Sequence, residues 1–255
     1  MSKCLTSERR LLLSQVPTLL IEPAGGAAQA PTVLLYHGWH SRKEDHRFLA
    51  SLLAQRGYRV VMPDLAGHGE RGPLEYDAPG VLQAHFWPIV IRSADEAGEL
   101  LTDLQRDVGI APQRTAVAGI SMGGFIASAV LAEHPALAGL ININGALAWA
   151  YAEQVFRGED GAGLATDAML QVLAERDPLR RSAAFFPRPV LMLHGTADRT
   201  IDVAIERYAR DRLAPVYAAE PDRLELFEDP RSDHSVTLKM VERAFAWLGE
   251  YLPVE

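Results

Sequence analysis

The sequence predicts an α/β protein in which helices cover both faces of a mostly parallel β-sheet. Short runs of β-branched and aliphatic residues alternate with longer stretches whose apolar residues recur at helical spacing. This alternation is typical of βαβ units, because two parallel strands need a crossover segment between them. The chain has 255 residues, of which 48% are hydrophobic. That length and composition suit a single α/β domain covering residues 1–255.

The predicted strands are apolar runs bounded by turn-forming residues. Residues 10–21 should hold one or two leading strands, which end at a Pro-Ala-Gly-Gly stretch beginning at Pro23. The next run ends at His37-Gly38, and the one after it is stopped by Pro63. The strands expected after the leading ones cover residues 32–36, 58–62, 115–120, 138–143, 189–193 and 223–227.

The predicted helices lie between these strands. Gly57 closes the first helix, and Ser93 with Glu96 three residues later forms a capping-box pattern at the start of the second. A helix rich in small residues ends before Pro135, and a last amphipathic stretch closes the chain. The expected helices cover residues 45–56, 93–108, 122–133 and 236–251.

One segment, residues 144–188, is about twice as long as an ordinary crossover connection. It contains two helix-like pieces joined by a glycine-rich turn. We interpret it as a short cap insertion over the sheet. An ordinary helix with long flanking loops is the alternative.

Ser121 is the strongest candidate for a catalytic residue. It lies in Gly119-Ile120-Ser121-Met122-Gly123, a G-x-S-x-G pattern between a predicted strand and a predicted helix. A serine on such a tight turn has its Oγ lifted above the edge of the sheet. The helix presses against the strand there, which explains the small residues Gly119 and Gly123. The pattern in this context predicts a serine nucleophile.

A serine hydroxyl needs an adjacent base, and the base needs an acid that orients it. His234 follows the last predicted strand, on a loop that can reach back to Ser121, so we predict it as general base. Asp198 follows the penultimate strand and fits the chain order of serine, acid, histidine. His194 should shape the turn that presents Asp198. The competing candidates for the acid are Asp202, Asp229 and Asp233.

An oxyanion hole needs two backbone N–H donors aimed at the developing negative charge. The residue after the nucleophile, Met122, should supply one. The loop after the third strand, His37-Gly38-Trp39, should supply the other through the N–H of Trp39. The alternative is that His37 and Gly38 only end a strand.

These motifs resemble the α/β-hydrolase superfamily over nearly the whole chain. They are H-G-W at residues 37–39, G-I-S-M-G-G at 119–124, H-G-T-A-D at 194–198 and D-H at 233–234. P-D-L-A-G-H-G-E-R at 63–71 resembles the D-x-x-x-H-G-x-R segment of small bacterial carboxylesterases related to the prolyl-oligopeptidase and dienelactone-hydrolase groups. The resemblance implies an eight-stranded sheet and hydrolysis without a cofactor. It does not extend to the cysteine nucleophile usual in dienelactone hydrolases, because this chain has Ser121.

The resemblance and the site residues together imply a serine hydrolase acting on carboxylic esters of short to medium acyl chain. Thioesters, lactones and small amides are alternative substrates within that class. An acyltransferase and a non-catalytic binding protein with a relic triad are alternatives from other classes. Fold alone does not decide the substrate.

Aromatic residues should line the substrate pocket, because ligands of open α/β sheets bind at the carboxyl ends of the strands. Phe86 and Trp87 follow the long loop after the fourth strand, and Trp149 opens the 144–188 segment. Packing as core beneath a cap is the alternative for these residues. His68 is a further candidate for substrate contact, with a buried role inside its own loop as the alternative.

Charge and cysteine content limit the partners. The net charge of −8 disfavours nucleic acids and anionic membranes, and no apolar run approaches the ~18 residues that span a bilayer. Cys4 is the only cysteine, and the N-terminus lacks a secretory pattern, so we expect a cytoplasmic protein. The histidine spacing shows no ligand pattern, so we expect no metal, and the resemblance implies that no cofactor is needed. The expected partner is a small-molecule ester, and the oligomeric state stays open.

Overall fold

Eight strands form one sheet, and their bounds follow the predicted apolar runs closely. The computed structural model describes residues 5–25, 30–161 and 163–254. The strands are β1 (Thr6–Leu13), β2 (Val16–Pro23), β3 (Thr32–Tyr36), β4 (Arg59–Pro63), β5 (Thr115–Ile120), β6 (Gly139–Ile143), β7 (Val190–Gly195) and β8 (Leu224–Asp229). Cys4 lies outside the described residues.

The strand order in the sheet is β1-β2-β4-β3-β5-β6-β7-β8. β2 pairs antiparallel with both β1 and β4, and every other neighbouring pair in that order is parallel. The predicted eight-stranded, mostly parallel sheet is confirmed. Its parallel strands all end at the same edge, which is where the candidate site residues gather.

The two leading strands form a tight hairpin. Leu13 pairs with Val16, so the turn contains only Ser14 and Gln15. Both turn residues have a positive φ, as two-residue turns between twisted antiparallel strands require.

Helices cover both faces of the sheet. The described residues hold seven α-helices: α1 (Arg47–Gln55), α2 (Val81–Asp103), α3 (Met122–Glu133), α4 (Trp149–Asp160), α5 (Asp167–Arg176), α6 (Ala204–Leu213) and α7 (Leu238–Tyr251). α1 and α7 pack against one apolar cluster, and α2, α3, α4 and α6 pack against the other. Val33 and Leu35 of β3 face the first cluster, whereas Leu34 and Tyr36 face the second. Because β3 is buried on both faces, it is a continuous apolar run.

The helix expected at residues 93–108 begins twelve residues earlier than predicted, at Val81. Ser93 is not its N-cap but a buried residue of the helix interior, and Glu96 pairs with Arg71 instead of closing a capping box. Pro88, which signals a break in the sequence, lies inside α2. Burial of the apolar face of the first half of α2 outweighs the backbone hydrogen bond that a proline cannot donate.

Residues 144–188, where the sequence predicts an insertion, contain α4, α5 and a 3₁₀ helix at Pro178–Ala184. α4 buries Ala152 and Phe156 in the same apolar cluster as α2 and α3. The segment therefore extends the core on that face of the sheet, and its function as a cap stays a prediction. Within the described residues, no helix has both the length and the apolar content needed to cross a membrane.

Candidate active site

Ser121 occupies a strained turn between β5 and α3. Its φ is 55° and its ψ is −123°, a conformation that residues with a side chain rarely adopt. Strain of this kind persists where the surrounding structure enforces it, and it is common at functional sites. Neighbouring glycines make the turn possible. A Cβ at Gly119 would collide with the carbonyl of Gly123, and a Cβ at Gly123 would collide with the carbonyl of Tyr36.

A continuous hydrogen-bonded chain joins Ser121, His234 and Asp198. Nε2 of His234 lies 2.8 Å from Oγ of Ser121, and its Nδ1 lies 2.7 Å from Oδ2 of Asp198. A carboxylate can only accept, so the neutral ring carries its proton on Nδ1 and donates it to Asp198. Nε2 is then free to accept the proton of the serine hydroxyl.

Asp198 is held rigidly and stays ionised. Its Oδ1 accepts the backbone N–H of Thr200 at 2.8 Å and of Ile201 at 2.9 Å. Burial acts to raise the pKa of this carboxyl, but hydrogen bonds from His194, His234 and the backbone of Ile201 hold it well below its usual range. The group therefore remains a hydrogen-bond acceptor throughout the neutral range of pH.

The other candidate acids have different partners. Asp233 accepts the N–H of His234 at 2.9 Å but pairs through its other oxygen with the guanidinium of Arg199. Asp202 accepts the N–H of Ala204, and Asp229 binds Thr237 and Lys239. Among the described residues, Asp198 is the only carboxylate within hydrogen-bond distance of the His234 ring.

His194 supports the turn that carries Asp198, as expected from its position at the end of β7. Its ring is fully buried, and Nε2 lies 2.8 Å from the carbonyl of Ile201 and 3.4 Å from Oδ2 of Asp198. The ring therefore lies against Oδ2 of Asp198, the same carboxylate oxygen that His234 contacts.

Asn144 is a site residue that the sequence reasoning missed. It follows β6 with a positive φ of 47°. Its side chain accepts the N–H of Gly195 at 3.1 Å and donates to the carbonyl of Ser235 at 3.0 Å. It thereby ties the end of β6 to the turn before Asp198 and to the loop of His234. The sequence feature that could have identified Asn144 is its position as a polar residue at the carboxyl end of a buried strand.

The loop that follows β3 passes directly beside the serine. A Cβ on Gly38 would lie 3.1 Å from Cβ of Ser121, a tight contact, so glycine lets the backbone come this close without displacing its neighbour. The N–H of Trp39, the next residue, donates to no acceptor within the described residues. Met122 is the first residue of α3, where helical N–H groups have no intrahelical acceptor. Both predicted donors thus flank Ser121.

The D-x-x-x-H-G-x-R segment builds the support beneath this loop. The carboxylate of Asp64 is fully buried, accepts the N–H of Lys43 at 3.1 Å and binds the Lys43 ammonium. Gly69 is needed because a Cβ there would collide with Asp64. Arg71 makes two hydrogen bonds of 2.7 Å to Glu96 on α2. The motif therefore fixes the loop before α2 against the loop that carries Trp39.

His68 is a buried support and not a residue of the cavity wall. Its Nδ1 lies 2.9 Å from the carbonyl of Ala66, and the side chain is fully buried. Its ring packs edge-on against Trp39 at 5.5 Å and beside Tyr76 at 4.9 Å. The expectation that His68 contacts substrate is replaced by its alternative, a buried role within the loop.

His37 is locked in a neutral form by its two ring contacts. Nε2 accepts the N–H of Leu65 at 3.1 Å, so Nδ1 carries the proton and donates to the carbonyl of Gly38 at 2.9 Å. Protonation of Nε2 would break the first contact. Burial lowers the pKa of His37 to about 3.

Acid should therefore destabilise the fold through His37. An unfolded histidine titrates near 6.5, so between about pH 6.5 and 3 the unfolded chain binds a proton that the folded chain excludes. The stabilisation is complete above pH 6.5 and is lost as the pH falls. From this group we expect the free energy of unfolding, measured by urea titration, to drop by about 1.6 kcal/mol between pH 6.5 and 5. If His37→Gln shows the same pH dependence as the wild type, this account of His37 is wrong.

A cavity of about 520 Å³ opens onto Ser121 and His234. Its purely hydrocarbon lining side chains are those of Leu82, Phe86, Phe156, Leu164 and Ile201. The lining also includes side chains with polar atoms, those of Trp39, His40, Tyr76, Asp77 and Thr200. Of the aromatic residues expected to line a pocket, Phe86 does so.

Trp87 and Trp149 do not line this cavity, which corrects the expectation from the sequence. Both are fully buried in the core. The indole N–H of Trp87 donates to Glu153, and that of Trp149 donates to the carbonyl of Phe125. Buried indoles find such partners because an unpaired N–H in the core is costly. Phe156 and Leu164 of the 144–188 segment supply the wall in their place, and nothing in the sequence pattern separated them from core residues.

No group of three or more His, Cys, Asp or Glu side chains that could hold a metal ion occurs in the described ranges. At the cavity the Ser121 hydroxyl is hydrogen-bonded to His234, and the Tyr76 hydroxyl donates to the carbonyl of Gly67. The arrangement provides a nucleophile, a base and N–H donors.

Two family models match this chain, each over more than half of its length. The model described as serine aminopeptidase, S33, matches residues 27–160, and the model of the prolyl oligopeptidase family matches residues 99–254. The chain belongs to the α/β-hydrolase superfamily. Within it, this hydrolase lies in the group of the prolyl oligopeptidase family, as the sequence motifs predicted.

Relatives of similar length resemble this α/β-hydrolase from end to end. “Putative esterase YitV” of Bacillus subtilis (strain 168) is 28% identical over 249 residues, covering 94% of this chain and 97% of its own length. Esterase YjfP of Escherichia coli (strain K12) is 26% identical over 254 residues, with the same coverage. The crystal structure of TT1662 from Thermus thermophilus superimposes with a TM-score of 0.82 at 25% identity, covering 98% of this chain and 99% of that one.

Proposed function

We propose that this α/β-hydrolase cleaves carboxylic esters of short to medium acyl chain through an acyl-enzyme on Ser121. The observation that carries the proposal is the hydrogen-bonded chain from Asp198 through His234 to Ser121, at the floor of a largely apolar cavity. A serine becomes a useful nucleophile when a base lies within hydrogen-bond reach and a third group orients that base.

The chain is a carboxylic ester hydrolase, which agrees with two relatives whose names contain “esterase” and which match it over almost its whole length. Both family models describe serine hydrolases. The roles of individual residues and the length of the acyl chain are the parts that we propose.

Acylation begins when Oγ of Ser121 attacks the ester carbonyl carbon and passes its proton to Nε2 of His234. The carbonyl oxygen becomes an oxyanion, which the N–H groups of Trp39 and Met122 stabilise. Asp198 stabilises the imidazolium that forms and keeps the ring oriented. Collapse of the tetrahedral intermediate breaks the bond to the alcohol, which leaves with the proton from His234.

Deacylation repeats these steps with water as nucleophile. Nε2 of His234 removes a proton from water as the water oxygen attacks the acyl carbonyl, and the same N–H groups hold the second oxyanion. Collapse releases the carboxylic acid and returns the proton to Ser121.

The size of the cavity supports short to medium acyl chains. A cavity of about 520 Å³ lies within the usual range for small-ligand pockets, and Phe86, Phe156 and Leu164 give it an apolar wall suited to an acyl chain. Each buried methylene contributes about 0.8 kcal/mol, close to a fourfold gain per carbon, until the chain meets the wall.

Small amides are the second candidate substrates, because both matching family models are named for peptidases. The same residues serve, with His234 protonating an amine in place of an alcohol. The relatives named as esterases favour esters.

A series of p-nitrophenyl esters from C2 to C16, run beside matched p-nitroanilides, tests the proposal. We expect kcat/KM to rise over the first few carbons, to fall for long chains, and to be higher for each ester than for its anilide. A steady rise to C16, or strong activation at a lipid–water interface, would contradict the proposed acyl preference. Turnover of anilides alone would contradict ester hydrolysis.

A further inference from the structure

The buried carboxylate of Glu153 lies outside the proposed catalytic chain. It belongs to α4, and only 1% of the residue is exposed. A carboxylate taken out of water is costly unless its oxygens are fully hydrogen-bonded. Its partners therefore indicate what it holds in place.

Three N–H groups donate to Glu153 and the guanidinium of Arg157 forms an ion pair with it, so its partners come from three segments. Oε2 accepts the indole N–H of Trp87 on α2 at 2.9 Å, and both oxygens lie close to the N–H of Leu164, at 3.0 and 3.1 Å. Oε1 also accepts the N–H of Ala165 at 2.9 Å and lies 3.0 Å from Nε of Arg157. One side chain thus joins α2, α4 and the chain segment that leads into α5.

The glycine before Leu164 shows how closely that segment passes. Gly163 has a φ of 66°, and a Cβ there would collide with Oε1 of Glu153. The backbone therefore wraps against the carboxylate at this point, and the position of Leu164 depends on it.

Each of the three joined segments supplies part of the apolar cavity wall. Phe86 is adjacent to Trp87 on α2, and their rings meet edge-on at 5.2 Å. Phe156 lies three residues after Glu153 on α4, one turn along the same face. Leu164 carries one of the N–H groups that Glu153 binds. These three side chains line the cavity above Ser121, whereas Glu153 itself does not.

We propose that Glu153 is a positioning residue that sets the acyl-chain selectivity of the enzyme by fixing Phe86, Phe156 and Leu164 relative to one another. This inference rests on the proposed ester hydrolysis and adds the residue that determines its chain-length limit. Glu153 touches neither the reacting atoms nor the substrate, so its effect appears in selectivity more than in the chemical step.

Glu153→Gln is the informative change, because it preserves size and removes one acceptor. Whichever way the amide turns, its NH₂ group faces at least two of the N–H donors that the carboxylate binds. The segment that carries Leu164 should then move away from Glu153. The apolar wall of the cavity should become easier to displace, which leaves room for a longer acyl chain. Each methylene newly admitted should raise kcat/KM for longer esters about fourfold relative to the acetate ester.

Two further variants distinguish a positioning role of Glu153 from a general disturbance of core packing. Trp87→Phe removes one donor to Glu153 and keeps most of the core volume, so it should shift selectivity in the same direction by a smaller factor. Glu206→Gln is the matched control: Glu206 on α6 is equally buried and does not line the cavity. Burial raises the pKa of Glu206 well above its usual range, which favours the uncharged form that glutamine resembles.

The measurement is the ratio of kcat/KM for the decanoate and acetate p-nitrophenyl esters, taken on folded protein with active sites counted by a fluorophosphonate. We expect the ratio to rise about fourfold or more in Glu153→Gln, to rise less in Trp87→Phe, and to be unchanged in Glu206→Gln. An unchanged ratio in both Glu153→Gln and Trp87→Phe would overturn the positioning role. So would an equal shift in Glu206→Gln. If the wild type hydrolyses none of the esters, the proposed function fails, which is a separate result.

Discussion

Ser121→Ala should lower ester hydrolysis by a factor on the order of 10³ or more while leaving the protein folded. The hydroxyl is the only group that the change removes, and alanine fits the strained turn as well as serine does. The remaining activity would come from the N–H donors and from binding alone. The measurement is kcat/KM on p-nitrophenyl butyrate, with circular dichroism and thermal melting to confirm the fold.

A second substitution at Ser121 controls for damage to the strained turn. Ser121→Cys keeps a nucleophilic atom at the same place, so it should retain the fold and become sensitive to thiol reagents. Wild-type-like activity in Ser121→Ala, with contaminating esterases excluded, would remove Ser121 from the mechanism.

Asp198→Asn should lower kcat by about 10⁴-fold, because the wrong tautomer of His234 would dominate. Oδ1 of Asp198 is held by the N–H groups of Thr200 and Ile201, so an asparagine would keep its oxygen there. Its NH₂ group would then face Nδ1 of His234. The ring would have to carry its proton on Nε2, where it could no longer accept the proton of Ser121.

Asp233→Asn is the matched control for that change, since Asp233 adjoins His234 in sequence and pairs with Arg199 instead of the ring. We expect it to reduce kcat far less than Asp198→Asn does. A larger loss in Asp233→Asn than in Asp198→Asn would show that Asp233, and not Asp198, orients the base.

Sequence reasoning succeeded where local chemistry and packing agree. The strands 32–36 and 115–120 were predictable because they are apolar runs that end in glycine or at the serine turn, and the structure gives both the same bounds. α2 was not predictable in the same way. Pro88 and the Ser93–Glu96 spacing are local signals that point to a later start, and they are outweighed by tertiary burial that the sequence does not display.

The residues of the candidate site differ in the same way, because local sequence signals identify some of them and only tertiary packing identifies the others. Ser121, Asp198 and His234 could be proposed because each sits at a characteristic place relative to a strand end, in a fixed chain order. The residues of the cavity wall could not be proposed in this way. Phe86 and Trp87 are neighbours on one helix, and only the direction of each side chain decides that Phe86 lines the cavity and Trp87 lies in the core. Asn144 and Glu153 act through hydrogen bonds to distant backbone groups, which no spacing pattern encodes.

Mass-spectrometric mapping of the protein after reaction with a fluorophosphonate tests the central claim most directly. The reagent phosphonylates an activated serine and forms a stable adduct, so the modified residue identifies the nucleophile. We predict one adduct per chain, on Ser121, with loss of esterase activity in proportion to labelling, and no adduct in Ser121→Ala. Stoichiometric labelling of a different residue, or full esterase activity in the fully labelled protein, would contradict the account.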